Sequence, residues 1–511
     1  MYDSKVYHKF FKFREKVGNE LKKKRAYNNF SPGLTSEQIY HGLPLMDLRD
    51  TIMTNICPVN LVRECPTTKY RTYSGHCNNV NNPLWGASSE PMQRFLEPIY
   101  ADKISKPRIS INGLSLPSAR KVSHNLITDP TDRHTLCSMM IAEWAMFIYE
   151  DIAHVGKTTL YKGDQSKPLL CCNQKYTHPE CYSIEVNEDD TTYSSLLLTQ
   201  KNSRQNILLP TTNDGTCWNN RSPQRCFLAG GEFTNLFPTH TALHTIWLRQ
   251  HNNIAKQLKA INADWDDEKL FQEARRIVIA QIQHITYNEF LPIIVGKNNL
   301  RLYGIKLRHS DYDSDYDLKT DATALNEYAS AIGLFYYSLF SDHILLYEDE
   351  KGNRKTKKPW SAIINNPELL YNGKIDTILR YLLRETISKP GLHMNNYFKN
   401  EFLRGKGNYG LDLAAMIIQM GRDHGVPGYT AFRSACGLRR PANFSDLADI
   451  ILGSLDLDEL AKLYDHIDDV DLFVLGLAEK PEVGALVGPT FACVIGKQFQ
   501  KVLYLISIFL F

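Results

Sequence analysis

Residues 240–261 read HTALHTIWLRQHNNIAKQLKAI, and their spacing decides the fold class. Leu243, Trp247, Ile254 and Leu258 recur at helical intervals and fall close to one stripe. Just downstream, Asp266, Asp267 and Glu268 supply the acidic first turn that a helix N-terminus favours. That second helix is expected to run to about Phe290, with Pro292 just beyond. Leu270, Ala274, Ile277 and Ile285 are expected to face one way along it. Further buried helices are expected over 326–340 and 411–420, and an amphipathic one over 455–466. Strand signals are few and short, and no repeat period is present. Irregular polar stretches cover 157–204 and 307–321. The reading is mainly α: a single helical globule with long disulfide-tied loops.

The chain's 511 residues, 43% apolar and 11% aromatic, can bury a large core. With 59 basic and 56 acidic residues the net charge is only +3, which gives no ground for a nucleic-acid partner. The KKKR run at 22–25 reads as a solvated helix face. The apolar run at 502–511, VLYLISIFLF, is too short to span a bilayer.

Eleven cysteines argue for an oxidising compartment. They fall at Cys57, Cys65, Cys77, Cys137, Cys171, Cys172, Cys181, Cys217, Cys226, Cys436 and Cys493. Zinc is the weaker reading, because no Cys-x-x-Cys pair accompanies them. Sequons at Asn29, Asn220 and Asn443 fit a secreted glycoprotein. The first residues, MYDSKVYHKFFKF, lack a signal peptide's unbroken apolar core. Both ends therefore read as the boundaries of an incomplete chain.

Several blocks recur in a fixed order between about 57 and 500. They include Lys69-Tyr70-Arg71-Thr72, Gly75-His76-Cys77-Asn78-Asn79, Asn82-Pro83-Leu84-Trp85-Gly86 and Leu116-Pro117-Ser118-Ala119-Arg120. Cys226-Phe227-Leu228-Ala229-Gly230, His244-Thr245-Ile246-Trp247-Leu248-Arg249 and Trp265-Asp266-Asp267-Glu268 follow. After them stand Gly421-Arg422-Asp423-His424-Gly425-Val426-Pro427-Gly428-Tyr429 and Val487-Gly488-Pro489-Thr490-Phe491-Ala492-Cys493. Together they resemble the animal haem peroxidases. The resemblance implies an N-terminal propeptide-like extension over 1–55, a peroxidase-like domain over 56–501 whose C-terminal end is cut short, and a divergent apolar tail over 502–511. It also implies pairs Cys217–Cys226 and Cys436–Cys493, with Cys65–Cys77 as a third and Cys137 free. The Gly421–Gly425 run is expected to tie helix ends together rather than to react. His244 and His251 are expected to be satisfied core or surface groups.

A haem peroxidase needs a proximal ligand on iron, a distal base for the peroxide proton and a distal cation for the parting oxygens. The distal block here is Trp144-Ala145-Met146-Phe147-Ile148-Tyr149-Glu150-Asp151. By the resemblance, Glu150 stands where the distal histidine belongs, Met146 where a glutamine belongs, and Tyr149 at a haem-ester carboxylate. In Ala229-Gly230-Gly231-Glu232-Phe233-Thr234-Asn235-Leu236, Phe233 takes the catalytic arginine's place and Leu236 the second ester carboxylate's. Tyr337 takes the proximal ligand's position, Leu334 that of the arginine before it, and Ile417 that of the orienting asparagine. Asp151 survives as a remnant calcium ligand, without a matching Thr-x-x-x-Asp-x-Ser loop in 189–209. His154 lies one turn on and reads as solvated or structural.

The replacements are mostly apolar where polar groups stood, and apolar bulk costs little in a collapsed pocket. The expectation is therefore a secreted peroxidase-family protein that is catalytically inactive. Haem and calcium are expected to be absent or weakly held, and no imidazole to flank the iron position. Glu150 is expected to be exposed, or buried and protonated. Two alternatives stand beside this: haem held through a Tyr337 phenolate, and integrin-type adhesion through Lys162-Gly163-Asp164.

Overall fold

The computed structural model describes residues 65, 69–155, 159–162, 165–168, 209, 225–227, 232–305, 317–404 and 410–506. Positions 89, 104, 131, 350 and 372 within these ranges are excepted. Helices dominate. Among them are α1 (Ala119–Leu126), α2 (Met140–Ile152), α3 (Pro238–Ile261), α4 (Asp267–Ile285), α5 (Asn326–Ser330), α6 (Ile375–Arg384), α7 (Leu413–Asp423), α8 (Tyr429–Ala435), α9 (Leu457–Leu463), α10 (Leu472–Ala478) and α11 (Pro489–Ile506). The strands form three two-stranded antiparallel ribbons: β1 (Arg133–Ser138) with β6 (Thr386–Ser388), β2 (Thr159–Lys162) with β3 (Gln165–Pro168), and β4 (His343–Tyr347) with β5 (Lys355–Pro359).

Local chemistry sets the helix ends. The Asp266 side chain accepts from the Lys269 amide, and Asp412 does the same for Ala415. Asp456 accepts from the amides of Asp458 and Glu459, which starts α9 two residues later than the apolar spacing suggests. Leu243 and Ile254 of α3 are buried as expected, and so are Leu270 and Ala274 of α4. Ile277 departs from that stripe and is 38% exposed. Pro292 does not end the helical path. After a π turn over Thr286–Phe290 the path continues through Leu291–Ile294, with Pro292 at its second position. The expected helix over 326–340 is broken at Ala331 (φ −148°, ψ −70°) and continues as a 3-10 turn, Ile332–Leu339. α11 runs past residue 501, where the sequence reading placed a separate tail.

Buried ion pairs hold the elements in register. Arg422 engages Asp471 and the Pro117 carbonyl, Arg108 reaches Asp471 from another direction, and Tyr464 donates to Asp471 at 2.7 Å. His424 Nδ1 lies 3.1 Å from Asn326 Oδ1. The Gly421–Gly425 run is thus structural. Disulfides join Cys65 to Cys77 and Cys436 to Cys493. Cys226 is also disulfide-bonded, while its expected partner Cys217 lies outside the described residues. Cys137 is free.

Candidate functional site

α2 carries the positions that the resemblance reads as distal, several of them on its buried face. Met146 is fully buried, Tyr149 is buried, and Asp151 at the far end is exposed. The segment facing α2 is α5 with the 3-10 turn that follows, where Leu334, Tyr336 and Tyr337 are buried. The two segments touch directly. The Tyr149 hydroxyl donates to the Ala329 carbonyl at 2.6 Å. Its ring centroid lies 6.0 Å from that of Tyr328 and 5.9 Å from that of Tyr336. A Cβ on Gly333 would stand 2.7 Å from Tyr149 Cδ2, so only glycine fits there without displacement.

Tyr337 sits in an aromatic cluster. Its ring centroid is 4.5 Å from Tyr336, 5.6 Å from Phe398 and 6.4 Å from Phe237. Burial raises its phenol well above the ordinary value. The Tyr336 hydroxyl bond acts the other way, and the Glu150 and Glu143 charges add to the rise. Ile417 on α7 is buried, as is Leu236. Phe233 lies in the 3-10 turn Glu232–Asn235 and is half-buried rather than fully enclosed. Its ring faces that of the exposed His154 at 6.3 Å.

Two sequence expectations are overturned around Glu150. It is neither free nor without a partner: Glu150 Oε2 lies 2.9 Å from His240 Nε2. His240 Nδ1 in turn lies 2.9 Å from Glu143 Oε1, and both of those side chains are fully buried. An imidazole therefore does flank the distal position, delivered by α3. Both its ring nitrogens are taken up by carboxylates, and His244 Nε2 is a further 3.1 Å from His240 Nε2. Burial disfavours a charge on His240, but its bonds to Glu143 and Glu150 outweigh that and push it up to about 9. Burial and the neighbouring His240 charge push His244 down to about 3. The centre is thus an imidazolium between two carboxylates, with a neutral imidazole beside it.

Helix geometry explains the assembly. Glu143 and Glu150 are two turns apart on α2, and His240 and His244 one turn apart on α3, so each pair shares a face. The available sign was an acid at Glu143 amid the apolar run MIAEWAMFI, opposite histidines at helical spacing. Glu143 Oε2 has no hydrogen-bond partner among the described residues. Among the described residues no group of three or more His, Cys, Asp or Glu side chains is arranged to hold a metal ion. The calcium-loop stretch 189–208 and the Gly163-Asp164 part of the tripeptide lie outside the described residues.

The chain is 30% identical to the peroxidasin homolog pxn-2 of Caenorhabditis elegans, over 86% of this chain and 39% of the relative. It is 29% identical to the chorion peroxidase of Drosophila melanogaster, over 84% of this chain and 61% of the relative. The thyroid peroxidase of Sus scrofa matches at 29%, over 88% and 57%. The chain thus spans about two fifths to three fifths of these relatives' lengths. In fold it resembles peroxidase A of Dictyostelium discoideum, with a TM-score of 0.67, 24% identity, and coverage of 86% of this chain and 91% of that one. No helix among the described residues is long and apolar enough to cross a membrane. The family profile for animal haem peroxidases matches residues 70–200 and 194–503, and this chain belongs to that family.

Proposed function

We propose that this chain is a catalytically inactive member of its family, a pseudoperoxidase that keeps the fold for a binding or scaffold role. The observation that carries the reading is the contact between Tyr149 and the Ala329–Gly333 backbone. It joins the segments bearing the distal and proximal positions, where a haem would have to lie between them. The residues present do not fit that group. Tyr337 offers a phenol held protonated by its burial, and no basic group among the described residues is seen to lower it. His240, the imidazole that meets Glu150, has both nitrogens committed to carboxylates. Phe233 offers no charge to a developing oxyanion. The same reading has calcium absent or weakly held, since Asp151 alone keeps its family character.

The disulfides support secretion, because such bonds persist in oxidising compartments. Neither alternative, a Tyr337 haem ligand or integrin-type adhesion through Lys162-Gly163-Asp164, has a structural observation in its favour.

Haemin titration tests the proposal. The purified chain, incubated with excess haemin and passed through gel filtration, is expected to emerge without a stoichiometric Soret band and without peroxide turnover. A stoichiometric band that survives the column overturns it.

A further inference from the structure

The β4–β5 ribbon carries a row of exposed cations. The run 351–358 reads KGNRKTKK, and Lys351, Arg354, Lys355, Lys357 and Lys358 are all exposed. β5 pairs only with β4 among the described residues, so its outer edge has no strand neighbour. Lys355 and Lys357 point to one face about 7 Å apart. The row extends onto α6 through Tyr347: the Lys355 ammonium lies 4.9 Å from that ring's centroid and the Arg384 guanidinium 5.4 Å.

Elsewhere several strong bases are paired. Arg108, Arg120, Arg422 and Arg433 each hold a buried carboxylate. Along β5, Lys357 and Lys358 form no ion pair among the described residues. Among the described residues, several acids beside the row have further partners, and Glu348 and Asp349 also feel the Arg354 charge. Glu348 is engaged by Lys374 and Thr356, Asp349 accepts the amides of Asn353 and Arg354 in the turn, Glu385 accepts from the Tyr347 hydroxyl, and Asp342 lies 2.6 Å from His343 Nδ1. A chain of net charge +3 has no general excess of cations, so this concentration on one ribbon is local.

We propose that the β5 edge binds a sulfated polysaccharide chain, the polyanion met outside the cell. The disulfides favour that over a nucleic acid. Binding by this row displaces counterions from the polyanion and is therefore steeply salt-dependent. The inference stands whether or not the protein holds haem.

The test measures affinity of the full chain for heparin fragments against salt concentration. The variant is Lys355→Ala/Lys357→Ala/Lys358→Ala. The control is Lys106→Ala/Lys121→Ala/Lys256→Ala, three exposed lysines far apart in the sequence. Circular dichroism melts of both confirm folding. The ribbon variant is expected to lower the slope of log affinity against log salt by roughly three, and the control to leave it nearly unchanged. Equal slopes for the two variants, or no heparin binding by the unmodified chain, overturn the proposal. Duplex DNA bound as tightly as heparin overturns the choice of polysaccharide.

Discussion

Glu150 Oε2 lies 2.9 Å from His240 Nε2, and the same imidazole holds Glu143 through its other nitrogen. Removing one member of a buried charge cluster strands the rest, whereas removing all of them costs little if volume is kept. His240→Leu is therefore expected to destabilise the protein by about 3–5 kcal/mol, because it leaves two carboxylates in the core unpaired. Glu143→Leu/His240→Leu/Glu150→Met is expected to recover most of that loss. Urea unfolding of the three proteins measures it. A triple variant weaker than His240→Leu would show that these charges are worth more than an apolar core.

The same cluster predicts a pH optimum. His240 titrates near 9 in the folded protein against an ordinary 6.5, so above 6.5 the folded state keeps a proton the unfolded state has lost. Its stabilisation is full below 6.5 and is lost as pH rises towards 9. His244 has the opposite sign. Held near 3, it stays neutral while the unfolded chain gains a proton below 6.5, so stability falls as pH drops. Burial raises Asp423 to about 6 and lowers His424 to about 4, and their contributions oppose each other over the acid range. Unfolding midpoints at pH 5–9 are expected to peak near 6.5, and His240→Gln to flatten the alkaline limb. An alkaline limb unchanged in that variant assigns the loss to other groups.

The helical class and the main helices were legible from spacing, and the family from block order, because apolar periodicity and ungapped motifs are local signals. His240 was not. Its role depends on α3 crossing α2 so that residues far apart in sequence meet. A histidine on an apolar helix face reads as core filler until its partner is known. The break at Ala331 was hidden for a related reason. The mostly apolar stretch over 326–340 fits an unbroken helix, and it is the close approach of Tyr149 to Gly333 that goes with the bend. The basic row on β5 was lost in a near-neutral total, since summed charge does not register local concentration.

Cys436 caps α8, and Cys493 lies in α11, 57 residues away. Closing a loop of that length lowers unfolded-chain entropy by about 4 kcal/mol on the chain-entropy account. Cys436→Ser/Cys493→Ser is expected to lose stability of that order, read as a lower thermal midpoint under oxidising conditions. Under reducing conditions the two proteins are expected to converge. A gap that persists in reductant would mean that the serine hydroxyls, not the missing bond, cause the loss.

Tyr149 and Gly333 are expected to be energetically coupled, and the coupling tests whether the two segments are locked together. Tyr149→Phe removes the bond to the Ala329 carbonyl and leaves that acceptor buried, at a cost of about 1 kcal/mol. Gly333→Ala places a Cβ 2.7 Å from both Tyr149 Cδ2 and the Tyr328 carbonyl oxygen, an overpacking cost of about 1–3 kcal/mol. In a Tyr149→Ala background the ring is gone and only the carbonyl contact remains, so Gly333→Ala should cost less there. A double-mutant cycle by urea unfolding is expected to give a coupling of about 0.5–3 kcal/mol. Strict additivity would mean that the ring moves aside freely. The segments would then not be held together at the haem position, and the main support for an inactive pocket would fall.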